Sequence, residues 1–126
     1  MANPAAPDAD DAGGVADDGA LRTLAAKVHE MPGAAWEKVI AINLSAPFYA
    51  IKETIPYMYK KGWGRIINVA STQGLVGSVN KAPYNASKHG LVGMTKTIAL
   101  EAAETGVTCN AVCPGWSVKI RQVKPN

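Results

Sequence analysis

The sequence predicts an α/β fold, a slice of a doubly wound parallel sheet holding two long helices and two parallel strands. Two segments with apolar residues at helical intervals alternate with two short stretches rich in β-branched residues. The connections between them are short, and that order implies parallel strands joined by a helical crossover. Open sheets of this kind usually have about five strands or more, so two strands represent a part of such a sheet.

Taken in order, residues 1 to 20 are dominated by Ala, Asp, Gly and Pro, a composition that buries too little apolar surface to offset chain entropy. They read as a disordered tail. Leu21 to His29 allows a short helix, because Leu21, Leu24, Ala25 and Val28 share one face before Met31-Pro32-Gly33 interrupts it. Residues 1–33 are thus expected to be disordered or weakly helical. From Ala34 apolar residues recur at Trp36, Val39, Ile40, Ile42, Leu44, Phe48, Ile51, Ile55 and Met58 until Lys61-Gly62, which predicts one long helix bent near Pro47. Gly64 to Ala70 is short and almost wholly apolar, the pattern of a strand buried on both faces of a parallel sheet. A loop containing Gly74, Gly77 and Ser78 leads to Pro83, where a second amphipathic helix runs to Glu104 through Tyr84, Leu91, Met94, Ile98 and Leu100. Val107 to Cys113 is the second strand, and residues 119–126 form an irregular tail.

With 126 residues there is room for one domain. No apolar run approaches the ~18 to 20 residues that cross a bilayer, and the N-terminus lacks a signal pattern, so a soluble, cytoplasmic protein without membrane contact is expected. Cys109 and Cys113 fall about 13 Å apart along a strand, too far to bridge, and no zinc-like spacing surrounds them. They read as reduced core residues, and no metal site is expected. The net charge of +3 conceals an asymmetry: residues 1 to 20 carry five Asp and no Lys or Arg, which leaves +8 on the remainder. Those cations are scattered, only Lys60 and Lys61 being adjacent, without the aromatic interleaving of RNA-binding proteins, so nucleic-acid binding is not expected.

Chemistry concentrates in four residues. Tyr84 and Lys88 are four apart on one helix face, where the ammonium can approach the phenol oxygen. A phenol beside a cation gives up its proton more readily than a free one, as removal of an alcohol proton requires. Alone, the pair equally suits a half-buried tyrosine packed on a lysine stem. Ser71 follows the first strand, at the sheet edge where ligands bind in open α/β folds, although a turn serine would look the same. Asn43 puts a polar amide inside an apolar helix, where it needs a partner; it can bend the helix or hold a water near Lys88. The four together favour a site for proton transfer at a substrate oxygen.

The segments Ile42-Asn43-Leu44, Gly64 to Ser71, Tyr84 to Gly90 and Asn110 to Gly115 closely resemble the short-chain dehydrogenase/reductase family. The resemblance runs in order over about residues 35 to 118 and marks 34–118 as a catalytic segment of Rossmann-like fold. It implies Tyr84 as catalytic acid/base, Ser71 as its partner on the substrate oxygen, Lys88 on the nicotinamide ribose and the tyrosine, and Asn43 in a proton relay. Tyr84 and Lys88 would also contact the cofactor, and Pro114-Gly115 would pass the nicotinamide ring. Within the family, Ser71 to Val76, Ser78 to Lys81, Lys88 to Gly90 and Cys113 to Trp116 are similar to the D-3-hydroxybutyrate dehydrogenase subfamily. That likeness implies interconversion of 3-hydroxybutyrate and acetoacetate with NAD, NADP remaining open. Substrate contacts would come from Ser71, Gln73, Tyr84, Lys81 as a cation for the carboxylate, and Trp116 as an apolar wall. Lys81 also suits a solvated loop, and Trp116 simple packing. Gln73 stands where that subfamily usually has histidine, which puts its carboxylate contact in question.

The family pattern also fails in places. No glycine-rich turn between a strand and a helix is present to hold a dinucleotide pyrophosphate, since Gly13-Gly14 lacks a preceding strand and a third glycine. The Asn-Asn-Ala-Gly segment that precedes the long helix in the family is absent, and Ser117-Val118-Lys119 occupies the region where a threonine is expected. A truncated or frame-shifted member without the cofactor-binding half is therefore expected, inactive alone or acting as a partner of full-length subunits. The family's two long helices form subunit interfaces, so the chain is expected to associate as a homo-oligomer or aggregate.

Overall fold

A computed structural model of the protein describes residues 25–115. The long helical run is realised as α1 (Gly33–Ile40), a π-helical segment (Ala41–Ser45) and α2 (Ala46–Lys61), followed by strand β1 (Gly64–Val69). A 3-10 turn (Thr72–Gly74), helix α3 (Ala82–Glu101) and strand β2 (Val107–Val112) complete the order. The backbone stays right-handed helical through the π-helical segment, which ends two residues before Pro47, a residue with no N–H to donate to the preceding turn. Gly62 ends α2 in the left-handed conformation, with φ 71°, and the Gly62 and Trp63 amides donate to the carbonyls of Tyr59 and Met58.

β1 and β2 pair in parallel from Gly64↔Val107 to Val69↔Val112, with α3 as the crossover between them. One side of the sheet carries the core. Ile66, Val107 and Cys109 pack with Ile51 and Ala102, bordered by Ile55, Met58 and Ile98. Ala70, Leu91 and Val92 form a second cluster with Leu44, Ala111 and Cys113, and Met94 borders both. Asn68 lies on the same buried face, where its amide donates to the Thr95 hydroxyl at 3.0 Å.

Three expectations need correction. The strands are not buried on both faces: Ile67 is 67 % and Val69 60 % exposed, alternating with buried neighbours. The described helices cover only one face, and the apolar composition of β1 does not encode how many layers cover it. The short helix expected at Leu21 to His29 is not formed in its described part, where residues 25–27 are irregular and 28–30 turn. There the Ala26 amide donates to the Asn80 carbonyl, a long-range bond in place of a helical one. Leu21 to Leu24 lie outside the described residues, as do the tails 1–20 and 119–126. Helix α3 stops at Glu101 instead of Glu104 because Ala102 to Thr105 tighten into turns, the Thr105 hydroxyl donating to the Ala102 carbonyl at 2.7 Å.

Both cysteines are free thiols, as their spacing requires. Burial pushes the Cys109 thiol up from its ordinary value. It is a core residue. Among the described residues no helix is long and apolar enough to cross a membrane, and no cluster of His, Cys, Asp or Glu could hold a metal ion.

Candidate active site

The carboxyl ends of the two strands lie side by side and are laced together. Ala70 N–H donates to the Val112 carbonyl at 2.8 Å, and Thr72 N–H donates to the Pro114 carbonyl at 3.0 Å. This brings exposed Pro114 and Gly115 alongside the turn that Ser71 opens. Ser71 is extended at that point, and its hydroxyl oxygen accepts from the Gln73 amide at 3.2 Å, capping the 3-10 turn. One lone pair and the hydroxyl proton stay available for a substrate oxygen. The turn sits tightly on α3, since a Cβ at Gly74 would approach the Lys88 carbonyl to 2.8 Å.

Tyr84 and Lys88 occupy the first turns of α3 and are both buried, at 4 % and 6 % exposure. The Lys88 ammonium donates to the Val69 carbonyl at 3.2 Å and lies 5.5 Å from the centroid of the Tyr84 ring. A carbonyl dipole and an aromatic face thus stabilise this cation, which has no carboxylate partner among the described residues. Val69 is two residues before Ser71, so the lysine ties the tyrosine-bearing helix to the strand end that leads into the serine. Among the described residues the Tyr84 hydroxyl has no hydrogen-bond partner.

Asn43, 6 % exposed, sits in the π-helical segment, and its amide donates to the Ser87 hydroxyl at 3.2 Å. Ser87 in turn donates to the Tyr84 carbonyl at 2.8 Å. The asparagine therefore reaches the site through the α3 backbone, and it is the buried residue of the π-helical segment. Gly90 keeps these elements close, because a Cβ there would collide with the Leu44 side chain.

Two residues were not anticipated from the sequence. Ser87 is fully buried between Tyr84 and Lys88, and the available signal was a small polar residue three places after the tyrosine on the same face. Asn85 gathers the loop before α3: its amide nitrogen lies 3.0 Å from the Ser78 hydroxyl, 2.9 Å from the Lys81 carbonyl and 3.5 Å from the Gln73 side-chain oxygen. Gln73 and Lys81 are consequently drawn to the start of α3, next to Tyr84. Trp116 lies outside the described residues.

A model of the short chain dehydrogenase family matches residues 14–119. D-beta-hydroxybutyrate dehydrogenase of Rhizobium meliloti is 56 % identical over 90 residues, covering 71 % of this chain and 35 % of the relative. The enzyme of the same name from Cupriavidus necator is 55 % identical over 91 residues, covering 72 % and 35 %. A crystal structure of a variant actinorhodin polyketide ketoreductase with NADPH superposes with a TM-score of 0.70 at 47 % identity, covering 73 % of this chain and 36 % of that one. The chain belongs to the short-chain dehydrogenase family, and its two helices and parallel strands are a partial Rossmann-like fold. It spans about a third of the length of the curated relatives it matches.

Proposed function

We propose that residues 34–118 are the catalytic segment of a cytoplasmic NAD(P)-dependent oxidoreductase that interconverts D-3-hydroxybutyrate and acetoacetate. The observation that carries this reading is the Tyr84–Lys88 pair at the carboxyl edge of β1, with the ammonium bonded to Val69 and poised over the phenol ring. The names of the Rhizobium and Cupriavidus relatives support the substrate, and the NADPH of the ketoreductase supports a nicotinamide cofactor.

The residues present fit one end of such a cofactor. Lys88 spends one of its ammonium protons on Val69, and its other donors suit the neutral hydroxyls of a ribose. Tyr84 would share that contact, and Pro114 and Gly115 would border the ring. No glycine-rich turn in this sequence suits the pyrophosphate.

A bound nicotinamide would supply the hydride acceptor for the alcohol carbon and, in the reverse direction, the hydride donor. Ser71 holds the substrate oxygen by its hydroxyl, and Tyr84 takes the alcohol proton as the carbonyl forms. The Lys88 cation stabilises the negative charge that develops on the phenol oxygen. Asn43 and Ser87 fix the backbone that carries Tyr84. By the family resemblance, Lys81 and Gln73 would serve the substrate carboxylate, and Trp116 would supply an apolar wall.

A second reading, a segment without turnover of its own that pairs with full-length subunits, draws on the uncovered sheet face and the missing pyrophosphate turn. Titrating NADH into the purified chain while following energy transfer from its tryptophans separates the two. Saturable micromolar binding with turnover of D-3-hydroxybutyrate supports the enzyme, and a flat titration supports the silent segment.

Self-association is expected in either case. Ile67, Val69 and Val112 on the sheet face and Phe48, Tyr49 and Tyr57 on α2 are exposed, an apolar surface that a monomer rarely leaves open. Sedimentation velocity should show dimers or larger species at micromolar concentration, and a monodisperse monomer would contradict this.

A further inference from the structure

Asn85 follows Tyr84 directly in α3, yet its side chain serves the loop before the helix. Its amide nitrogen reaches the Ser78 hydroxyl, the Lys81 carbonyl and the Gln73 side-chain oxygen. The Lys81 carbonyl is held a second time, by the Asn85 backbone amide at 2.8 Å. The loop needs this grip. Asn80 is the one described residue other than glycine with a positive φ, at 63°, and Lys81 departs from helical geometry with φ −126° and ψ 32°. Neither conformation is held by a repeating hydrogen-bond ladder.

The amide is committed on one side only. Asn85 Oδ1 is the one buried side-chain polar atom among the described residues without a hydrogen-bond partner. Leaving a buried acceptor unpaired is unfavourable. A leucine here would leave no orphaned carbonyl, although it is the larger side chain. What a leucine cannot do is hold Ser78, Lys81 and Gln73 in fixed relation to Tyr84.

We propose that Asn85 is a positioning residue for substrate binding, which locks Lys81 and Gln73 into the arrangement that receives the carboxylate of the hydroxy acid beside Tyr84. This rests on the substrate reading proposed above. Asn85 itself does not touch the substrate. It fixes the backbone from which the Lys81 side chain extends, and its loss should weaken recognition of the carboxylate without changing the reacting groups.

The test is a titration of the full chain with D-3-hydroxybutyrate, followed by NMR chemical shifts, for the wild type, Asn85→Leu, Lys81→Met and the double variant. Thermal melts of the four proteins accompany it, and 2-butanol serves as an uncharged control ligand. Asn85→Leu is expected to weaken D-3-hydroxybutyrate about tenfold, as Lys81→Met does, and the double variant is expected to lose no more than either alone, because both changes remove one interaction. The melts establish that each variant is folded at the titration temperature, and 2-butanol should bind all four proteins alike. A merely structural asparagine would lower the melting temperature and leave relative affinities unchanged. If the wild type binds and Asn85→Leu binds equally well, or if the two losses add, the positioning role is overturned while the substrate reading stands. If the wild type shows no shifts with D-3-hydroxybutyrate, the substrate reading fails and the positioning role fails with it.

Discussion

Tyr84→Phe is expected to lower turnover of D-3-hydroxybutyrate by about 10²- to 10⁴-fold, the usual contribution of a positioned acid–base group. The melting temperature should stay within a few degrees of wild type. Both halves of this expectation follow from the same geometry. The substitution removes only the hydroxyl, which has no hydrogen-bond partner among the described residues, so none of the described bonds goes with it. The ring that lies 5.5 Å from the Lys88 ammonium is retained, and a phenylalanine face still attracts the cation. Lys88→Met offers the contrast. It discards the bond to the Val69 carbonyl as well as the charge, so stability and turnover should fall together. Steady-state kinetics and a thermal melt on the two variants check the pair of outcomes. A Tyr84→Phe protein with wild-type turnover would remove the phenol from the proton transfer.

How much of this was legible in the sequence varies by residue. The elements were, because helical spacing from Trp36 to Met58 and β-branched runs at Gly64 and Val107 are local signals. Tyr84 and Lys88 were too, since a separation of four on a helix fixes a shared face regardless of what lies opposite. What packs against an element is not local. Ile67 and Val69 look like Ile66 in composition, and nothing in β1 records that the described helices lie on one side only. The same limit hid the partner of Asn43. A polar residue in an apolar helix announces the need for a bond, but Ser87 is 44 positions away, and the pairing depends on how the two helices pack. Asn85 was hidden for a different reason, because an asparagine in the first turn of a helix is ordinary and its grip on Gln73, Ser78 and Lys81 depends on how the loop folds back.

Gly106→Val should be the most destabilising single substitution outside the site, by about 2 to 5 kcal/mol. The glycine precedes β2 with φ 80°, a conformation that a β-branched residue adopts only under strain. A Cβ there would also run into the Gly62 carbonyl, a backbone atom that cannot swing aside. That carbonyl belongs to the cap of α2, and the Gly106 carbonyl accepts from the Gly64 amide at 3.3 Å and from Arg65 at 3.1 Å. The end of α2 and the first residues of both strands thus meet at one point, and moving Gly106 to relieve the collision pulls on all three. With two strands as the whole described sheet, no further ladder compensates. For a domain of this size each kcal/mol is worth roughly 4 to 8 °C, so a fall of at least about 8 °C is expected in a thermal melt. Gly93→Ala is the matched control, because it lies in α3 with open space around a Cβ and an ordinary backbone conformation. That change should be neutral or stabilising by up to about 1 kcal/mol through helix propensity. Equal melting temperatures for the two variants would mean that the α2 cap and the start of β2 are not packed as described.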